Sequence, residues 1–450
     1  MRLLAGMGAA CLVLGLASGS ARAESKGGAA RPAPIQDLAQ ELRQPLTLDR
    51  AIRIALLNQN TIGIAANQLD ASRARETAAR ASYFPSIQPI YEYSNQLSTI
   101  GGRTGRFEQG VAQIGLRQLL FDMGRREENV AFSREARRAS EFNVLDVRQG
   151  VIANVSTAYY DLLRRKELVK VAESSVERAR TTLEATRAFV EAGTAPRKDI
   201  AQAQADYDNA QVQLIQARND VRIAETTLKN AMGILTALPI QTPDAPVEPP
   251  SPAPDTRTPS EYLAMAFDNR PDLRRDLRSI EASRRSVKVA NINAGLLVQA
   301  DVTEGYRIDP DPGENRQFVT TFSYPLFDAG ASRAQVREAK ASLEQSQRQL
   351  ELTRQAIQLE VEQAFLLREE ARARTVAAQA ALQAARVNYD FAREAQKEGT
   401  GTIIEVITAQ TQLVTAETNA VQAVFDYYTS DARLRRAIGT NDTYAEGRKP

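Results

Sequence analysis

The chain of 450 residues could hold two or three ordinary domains, but it has no Trp and is only 6% aromatic, a composition that favours long helices over compact cores. Its formal net charge of +2 comes from interleaved acidic and basic residues, which excludes the clustered basic face of a nucleic-acid-binding protein. With no His and a single Cys, the chain lacks the residues that most often bind zinc or act as nucleophiles, so we predict no metal, cofactor or catalytic site.

The N-terminal segment has the pattern of a secretory signal peptide. Arg2 precedes a short apolar stretch, and the small-x-small motif ARA follows it. The apolar stretch is too short to span a membrane as a helix. We therefore predict a signal peptide over residues 1–23 and a flexible segment over 24–45. Because Cys11 lies inside the apolar stretch rather than after it, the exported chain is predicted to carry neither a thiol nor a lipid anchor.

A first repeat is predicted over residues 46–238. It opens with a short helix, continues with two strand-like stretches at about 84–96 and 107–120, and ends in a helical hairpin over 125–233. The run from Arg125 to Glu191 contains no Pro and one Gly, and as a helix it would form a rod of about 100 Å. A single helix of this length buries too little surface to be stable alone, and we expect it to pack against other helices along its length.

A Pro-rich segment at 239–258 follows the first repeat. Pro at this density cannot form a helix and predicts an extended linker. Helix is predicted to resume at Thr258-Pro259-Ser260-Glu261. Thr can cap a helix, Pro suits the first helical position, and Glu three residues after Thr completes a capping box.

The second repeat is predicted over residues 259–439 with the same order of elements. Its strands are predicted at about 294–308 and 316–326, its helical hairpin at 331–439, and a tail at 440–450. The two repeats align at an offset of 206 residues (327 − 121) across more than 100 residues without a gap, and Gly124, Gly193 and Gly233 fall on Gly330, Gly399 and Gly439. Such self-similarity indicates an internal duplication.

The strand-like stretches place apolar side chains on one face and polar side chains on the other. In GLLVQADVTEGYRI, for example, Val298 and Val302 alternate with Gln299 and Asp301. Such strands could form an antiparallel sheet over a soluble core or an outer-membrane barrel. Their length of about ten residues and their polar, Gly-rich connecting loops favour the barrel. Four strands cannot close a membrane barrel, so two, three or four chains would supply about 8, 12 or 16 strands.

The Leu-Phe-Asp-x-Gly motif occurs twice, where each strand pair gives way to a long helix. The apolar Leu-Phe is expected to end at the edge of the bilayer, the Asp to cap the new helix, and the Gly to let the chain turn from strand to rod. We therefore interpret the motif as a junction rather than a catalytic site. The predicted junction residues are Phe121, Asp122, Gly124, Phe327, Asp328 and Gly330.

Taken together, these features resemble the TolC family of outer-membrane efflux proteins. The most specific elements are LTLDRAIRIALLNQN, the paired Leu-Phe-Asp-x-Gly motifs, and the segments EAGTAP and KEGTGT. The resemblance implies a mainly α-helical protein with a membrane β-barrel, which assembles as a homotrimer in the outer membrane of a Gram-negative bacterium. Its strands would form one barrel of about 12 strands in contact with lipid, and its helices a long tunnel across the periplasm.

The resemblance also implies a function. Members of the family are passive channels of tripartite efflux or type I secretion systems, and they export small molecules or proteins. They dock on a periplasmic adaptor and an inner-membrane pump of the RND or ABC type, and they are gated at their periplasmic end. No enzymatic activity is implied.

Residues at the two hairpin tips match positions with family roles. Gly193-Thr194 and Gly399-Thr400 fall where members of the family meet their adaptor. Asp199 and Glu405, about a turn further on, match positions that face the closed entrance, where three copies of each would form acidic rings that attract cations. Glu405 also completes a capping box with Thr402, a role compatible with lining the entrance.

The sequence departs from the family pattern at one entrance position. The best-known members have a basic residue just after the second Gly-Thr, which latches the entrance to an acid of the first tip. Gly401 occupies this position here, so the latch is not expected in that form.

Three other classes of protein were weighed against the channel. An exported structural coiled-coil protein would explain the rods but not the duplicated amphipathic strands. A periplasmic adaptor has one helical hairpin set within β-rich domains, whereas this chain has two hairpins and few strands. An enzyme is disfavoured because His is absent and the one Cys lies in the predicted signal peptide. The sequence does not indicate which substrate is exported.

Overall fold

A computed structural model describes most of the chain. The predicted signal peptide, the flexible segment up to residue 44, most of the linker and the tail after residue 440 lie outside the described residues. Within that part of the chain, each repeat has the same order of elements: two helices, two strands, a very long helix and a second long helix. The described residues are 45–100, 103–235, 239–243, 257–309 and 311–440.

The elements of the first repeat are α1 (Leu48–Asn58), α2 (Asn60–Ala81), β1 (Ser86–Ile100), β2 (Arg103–Phe121), α3 (Arg125–Glu191) and α4 (Lys198–Ala231). Those of the second repeat are α5 (Pro259–Asn269), α6 (Pro271–Ile292), β3 (Leu297–Asp309), β4 (Gly313–Ser323), α7 (Ala331–Lys397) and α8 (Ile403–Ala437). Both α3 and α7 have 67 residues, which gives two rods of about 100 Å. The predicted duplication is therefore confirmed at the level of the fold.

Several predicted boundaries were wrong. β1 extends to Ile100 and β2 begins at Arg103, so their connection is much shorter than the predicted polar loop. β4 begins at Gly313 and ends at Ser323, three residues earlier than predicted at each end. Polar residues can continue a ladder as long as the facing strand supplies hydrogen bonds, so composition alone does not mark the ends of these strands.

The short helix predicted before each strand pair is two helices. The break lies at Gln59 in the first repeat and at Arg270 in the second, and both residues have an extended backbone. Gln59 Nε2 donates to the carbonyl of Ala231 at 3.1 Å, and the Arg270 guanidinium donates to the carbonyl of Ala437 at 3.2 Å. Each break is thus tied to the end of the last helix of its own repeat, which satisfies terminal carbonyl groups.

The strands and the helices attached to them lie side by side in the same order. The four strands form an antiparallel sheet in the order β1-β2-β3-β4. The helices attached to these strands contact one another in the matching order α2-α3-α6-α7, and further from the sheet the order is α4-α3-α8-α7. Each strand therefore continues the line of one helix, and β1 and β4 are left at the two open edges of the sheet.

The apolar cores are small and duplicated. One cluster joins α1, α3 and α4, and a second joins α5, α6, α7 and α8. Val155 and Val361 are fully buried at equivalent positions, as are Leu228 and Leu434. Toward the tips the buried side chains of the long helices are mostly Ala, Ser and Thr, apart from a third apolar cluster near the second tip that contains Tyr389, Val406, Ala409 and Leu413. The hairpins are therefore held by close helix–helix packing rather than by a thick core, as predicted.

The left-handed backbone positions are also duplicated. The described residues with positive φ angles form four pairs that are each 206 residues apart, such as Gly193 and Gly399, both at +73°. Gly233 and Gly439 also approach other backbone closely: a Cβ on Gly233 would lie 2.8 Å from the Asn58 carbonyl oxygen, and one on Gly439 would lie 3.0 Å from the Arg270 nitrogen. Only glycine fits these two positions, because both φ and space exclude a side chain.

Candidate functional site

The sheet has one apolar face and one polar face. In the observed register, Ile87 pairs with Leu116, Leu116 with Val302, and Val302 with Phe318, which aligns apolar side chains across all four strands. On the opposite face Arg117 Nε donates to Asp301 Oδ1 at 2.8 Å. The alternation predicted from the sequence is therefore confirmed.

No helix in the described residues packs extensively on either face of the sheet. Large apolar side chains on the apolar face are consequently exposed: Ile87 is 67% exposed and Phe318 is 70% exposed. A sheet lying on a soluble core would bury these side chains, so that interpretation is wrong. An uncovered apolar face on this scale requires an apolar environment or a partner.

The first junction forms between β2 and α3. The Asp122 carboxylate is buried and accepts the N–H of Arg126 at 2.9 Å, while the Arg126 guanidinium donates to the carbonyl of Leu119 at 2.9 Å. Met123 and Gly124 both have positive φ angles, and Gly124 occupies the N-cap position of α3. Asp122 thus accepts a hydrogen bond from an N–H group of the first helical turn. It lies two residues before the N-cap position, so it is not the cap residue that the sequence predicted.

The second junction, between β4 and α7, repeats this geometry. Asp328 accepts the N–H groups of Gly330 at 3.0 Å and Ser332 at 2.8 Å, and it also binds the Ser332 hydroxyl. These contacts lower the pKa of Asp328 below its ordinary value, because they favour the charged carboxylate. Ala329 and Gly330 have positive φ angles. The neighbouring Phe327 is 89% exposed, and its expected place at a bilayer edge stays a prediction.

The two hairpin tips, residues 192–197 and 398–402, share a tight turn. In the first tip the Thr194 N–H donates to the Phe189 carbonyl at 2.9 Å, and in the second the Thr400 N–H donates to the Ala395 carbonyl at 2.9 Å. Each Thr hydroxyl donates to the same carbonyl oxygen as its own N–H. The Gly-Thr pair therefore closes the end of each long helix, with Gly supplying the left-handed backbone and Thr a second hydrogen bond.

The predicted entrance residues lie in the first turns of α4 and α8. Glu405 is exposed and forms the predicted capping box: its carboxylate accepts the N–H of Thr402 at 3.1 Å, and its own N–H donates to the Thr402 hydroxyl at 3.3 Å. Asp199 is half-buried, and its N–H donates to the Pro196 carbonyl at 3.1 Å. No hydrogen bond or ion pair links the two acids in the part of the chain that the structure describes.

Gly401 stands at the position where the family resemblance led us to expect a basic residue, and it has a local structural role there. Its N–H donates to the Ala395 carbonyl at 2.9 Å. A Cβ at this position would lie 3.0 Å from the Ala395 Cβ, which is closer than such contacts normally are. The tight second tip is therefore poorly suited to a long side chain here.

One polar contact near the tips was not predicted from the sequence. Gln410 of α8 is buried, and its Nε2 donates to Asp206 Oδ2 of α4 at 2.9 Å. Burial raises the pKa of the Asp206 carboxyl, while the hydrogen bond from Gln410 partly offsets this. The two residues are 204 positions apart in the chain, and no local motif marks either one.

Neither a cluster of the usual metal ligands nor a membrane-spanning helix occurs in the described residues. No group of three or more His, Cys, Asp or Glu side chains there lies close enough to hold a metal ion. No described helix combines the length and the apolar character needed to cross a membrane.

Comparison with known proteins places this geometry in a family. The Outer membrane efflux protein family matches residues 51–234 and 263–440, which correspond to the two repeats. The outer membrane efflux protein BepC of Brucella suis is 27% identical over 372 residues, covering 80% of this chain and 78% of BepC. The outer membrane protein TolC of Escherichia coli is 22% identical over 424 residues, covering 89% of this chain and 83% of TolC.

Solved structures show the same fold. The outer-membrane channel OprN superposes with a TM-score of 0.78 at 20% identity, covering 89% of this chain and 92% of OprN. The fold match and the two family matches extend over both sets of strands and both hairpins. The chain therefore belongs to the outer membrane efflux protein family, in which TolC-like channels of the Gram-negative outer membrane share this duplicated architecture.

Proposed function

We propose that the protein assembles as a homotrimer that forms one continuous export duct, from a barrel of about 12 strands in the outer membrane to a helical tunnel in the periplasm. The family membership establishes an outer-membrane channel of efflux or type I secretion. The proposal rests on the order in which neighbouring strands and helices lie side by side. This order leaves each protomer with two edges that have no neighbour.

The sheet edges support self-association. β1 and β4 each have a neighbour on one side only, so each presents a row of unpaired backbone groups. Such edges must be covered in a membrane, where water cannot satisfy them. Pairing of β4 of one protomer with β1 of the next would continue the sheet, and repeating this step three times would close it.

Both helical edges carry exposed apolar side chains. α7 forms one edge, where Leu352, Leu359 and Leu366 recur at a spacing of seven residues and are all more than half exposed. α4 forms the other edge, where Val212 and Ile215 are exposed on the side opposite buried Ala210. A heptad spacing of apolar side chains is the pattern of a helix that packs on a neighbouring helix.

The number of residues between a side chain and its hairpin tip gives the height of that side chain along the tunnel. Residues of α7 and α4 at equal height can therefore be paired. Val376 lies 23 residues before Gly399 (399 − 376), and Ile215 lies 22 residues after Gly193 (215 − 193). At a rise of about 1.5 Å per residue, these side chains lie at nearly the same height along the tunnel. We therefore propose that Val376 of one protomer packs near Ile215 of the next.

The proposed duct acts without catalysis and transfers cargo from an inner-membrane pump of the RND or ABC type through a periplasmic adaptor. The tips at Gly193-Thr194 and Gly399-Thr400 are proposed to dock the adaptor. Both tips are exposed ends of rigid hairpins, and their closed turns present a defined backbone surface. The acids Asp199 and Glu405 are proposed to line the entrance between them.

Disulfide trapping tests the assembly. Cys11 is the only native cysteine, so Ile215→Cys and Val376→Cys can be introduced without removing other thiols from the exported chain. If the edges meet, oxidation should link protomers, because a disulfide requires Cα atoms within about 7 Å. A head-to-tail ring yields a ladder of linked species that ends at the number of protomers in the ring. A ladder ending at three supports the homotrimer, and one ending at two or four contradicts it.

The control pairs Ile215→Cys with Leu352→Cys on the same two helices. Leu352 lies 47 residues from Gly399 (399 − 352), so this pair differs in height by about 37 Å and should not cross-link. Equal cross-linking of both pairs would show random collision and would overturn the proposed register.

A photoreactive group at Thr194 or Thr400 then tests docking: capture of an adaptor protein is expected there and not from a probe at exposed Thr226 of α4.

A further inference from the structure

The exposed faces of α4 and α7 carry two rows of side chains that follow the same spacing. Steps of three and four residues place each row on one side of its helix, and every member of both rows is exposed in one protomer. The α7 row is apolar except for Glu370, and the α4 row contains one charged residue, Arg222. The α7 row consists of Leu366, Glu370, Ala373, Ala377 and Ala380, and the α4 row of Val212, Ile215, Asn219, Arg222 and Thr226.

The two rows also match in height. The α7 row lies 33, 29, 26, 22 and 19 residues before Gly399, and the α4 row lies at the same five counts after Gly193. Because α7 runs toward the tips and α4 runs away from them, equal counts give equal heights at a rise of about 1.5 Å per residue. Glu370 is therefore level with Arg222, since both are 29 residues from their tips (399 − 370 and 222 − 193).

Arg222 carries a charge that has no partner within its own protomer. Its charged neighbours on α4 are paired: Arg218 lies 2.9 Å from Glu173, and Asp220 lies 2.6 Å from Arg165. Arg222, one turn beyond Arg218, forms no ion pair among the residues that the structure describes. Its guanidinium is therefore free to bind an acid that a second chain supplies.

Glu370 is available to a second chain as well. Its side chain is 64% exposed, and its ion-pair contact within the protomer is a long one, 4.0 Å from Oε1 to Arg374 Nη1. Arg374 is itself held by Asp426, to which it donates a hydrogen bond. When two helices pack, charged side chains in the contact lose water, and an unpaired charge there is costly. Opposite charges at one height of a helix pair therefore favour one partner and one register.

We propose that Arg222 of one protomer forms an ion pair with Glu370 of the next, within a seam in which the α4 row packs against the α7 row. This inference rests on the proposed ring, in which these two helices are the edges that meet. On the tip side of the pair, each residue of the α4 row faces an Ala of the α7 row, which lets the helices approach closely. Since the base and the acid lie on opposite edges of one protomer, a second copy of the chain fits this surface, and every contact in the ring pairs one of each.

Exchange of the two charges tests the ion pair on the full chain in detergent. The measurement is the midpoint temperature at which the oligomer separates into single chains at low ionic strength. Arg222→Glu or Glu370→Arg alone places like charges opposite each other at every contact of the ring, so each should lower the midpoint by about 5 °C or more. The double variant R222E/E370R restores opposite charges and should return the midpoint to within about 2 °C of the unmodified chain. Salt at about 1 M should reduce the effect of each single variant, because it screens charges near the surface.

R222E/E351R is the matched control, because it has the same net charge as R222E/E370R but places the new base at the wrong height. Glu351 is an exposed acid of α7, paired with exposed Arg354, and it lies 19 residues (370 − 351), or about 28 Å, further from the tip than Glu370. Its midpoint should stay as low as that of R222E. Equal recovery in both double variants, or no recovery in R222E/E370R, would overturn the ion pair without contradicting the proposed ring. Absence of any oligomer of the unmodified chain would overturn both.

Discussion

Arg178 of α3 and Glu417 of α8 form a bidentate ion pair that joins the two repeats, with Nη2 2.7 Å from Oε2 and Nη1 3.3 Å from Oε1. Both side chains are less than one-fifth exposed. The pair lies between the two duplicated apolar clusters and the third cluster around Leu413, and most of the buried side chains near it are small. It therefore provides a specific attachment where apolar packing alone is thin.

Removal of this pair should loosen the attachment of α3 to α8. Arg178→Ala leaves Glu417 partly buried without its partner, which should cost about 2 kcal/mol of local stability. Amides of α3 and α8 near the pair should then exchange hydrogen about 30-fold faster. The control, Arg180→Ala, removes an exposed pair with Glu177 on the same helix and should change exchange by less than about threefold. Similar effects of both substitutions would contradict this role.

Two sets of duplicated glycines should differ in their tolerance of a side chain. Gly193 and Gly399 have positive φ but open space where a Cβ would lie, so Ala at either position should cost about 1–2 kcal/mol. Gly233→Ala adds a collision with the backbone of Asn58 and Gln59, so its cost should exceed about 3 kcal/mol. Urea unfolding followed by helical circular dichroism compares them. Equal losses for G193A and G233A would rule out the close approach as a constraint.

The sequence predicted the long elements well because their signals are local. Absence of Pro between Arg125 and Glu191 predicted a helix over the range that the structure shows. Both capping boxes, at Thr258 and Thr402, are confirmed because the motif contains every group that forms the hydrogen bonds. The 206-residue offset was visible because the same local signals occur twice.

Features that depend on distant residues were not predictable in the same way. The helix break at Gln59 has neither Gly nor Pro to mark it, and it is held by the carbonyl of Ala231. The hydrogen bond from Gln410 to Asp206 joins residues that are 204 positions apart, and only the packing of α4 against α8 brings them together.

Asp328 should make the second junction sensitive to acid. Its pKa is held below the ordinary value of 3.8 by the Ser332 hydroxyl and by the N–H groups of Ser332 and Gly330. A depressed folded-state pKa stabilises the junction at pH values above 3.8, and this contribution is lost as the pH falls through the lower, folded-state pKa. The protection of amides in the first turn of α7, measured as the exchange rate relative to the intrinsic rate at each pH, should therefore decrease below pH 3.8.

Asp328→Asn provides the comparison for that experiment. The variant has no carboxyl to titrate at this position, so the protection of these amides relative to the intrinsic rate should be lower at neutral pH and should change little as the pH falls. Ser332→Ala should have a smaller effect in the same direction, because one of the three contacts is lost. An acid response in D328N that equals that of the unmodified protein would assign the effect to other carboxyls.

The effect of the charge of Asp199 and Glu405 on the channel can be separated from the effect of their size. Glu405→Gln retains the capping box, because Gln can also accept at this position, whereas Glu405→Ala removes the cap from α8 as well as the charge. Combined with Asp199→Asn, the Gln variant should reduce the preference for cations in planar bilayers with little change in single-channel conductance, since the acidic rings lose charge but not volume.

Replacement of both acids by Ala should also raise single-channel conductance, because the side chains that narrow the resting pore become shorter. Asp208→Asn, further along α4 and exposed, serves as the control and should leave both measurements unchanged. If D199A/E405A keeps the conductance and the cation preference of the unmodified channel, these acids do not line the entrance, and Glu405 acts at the second tip only as the cap of α8.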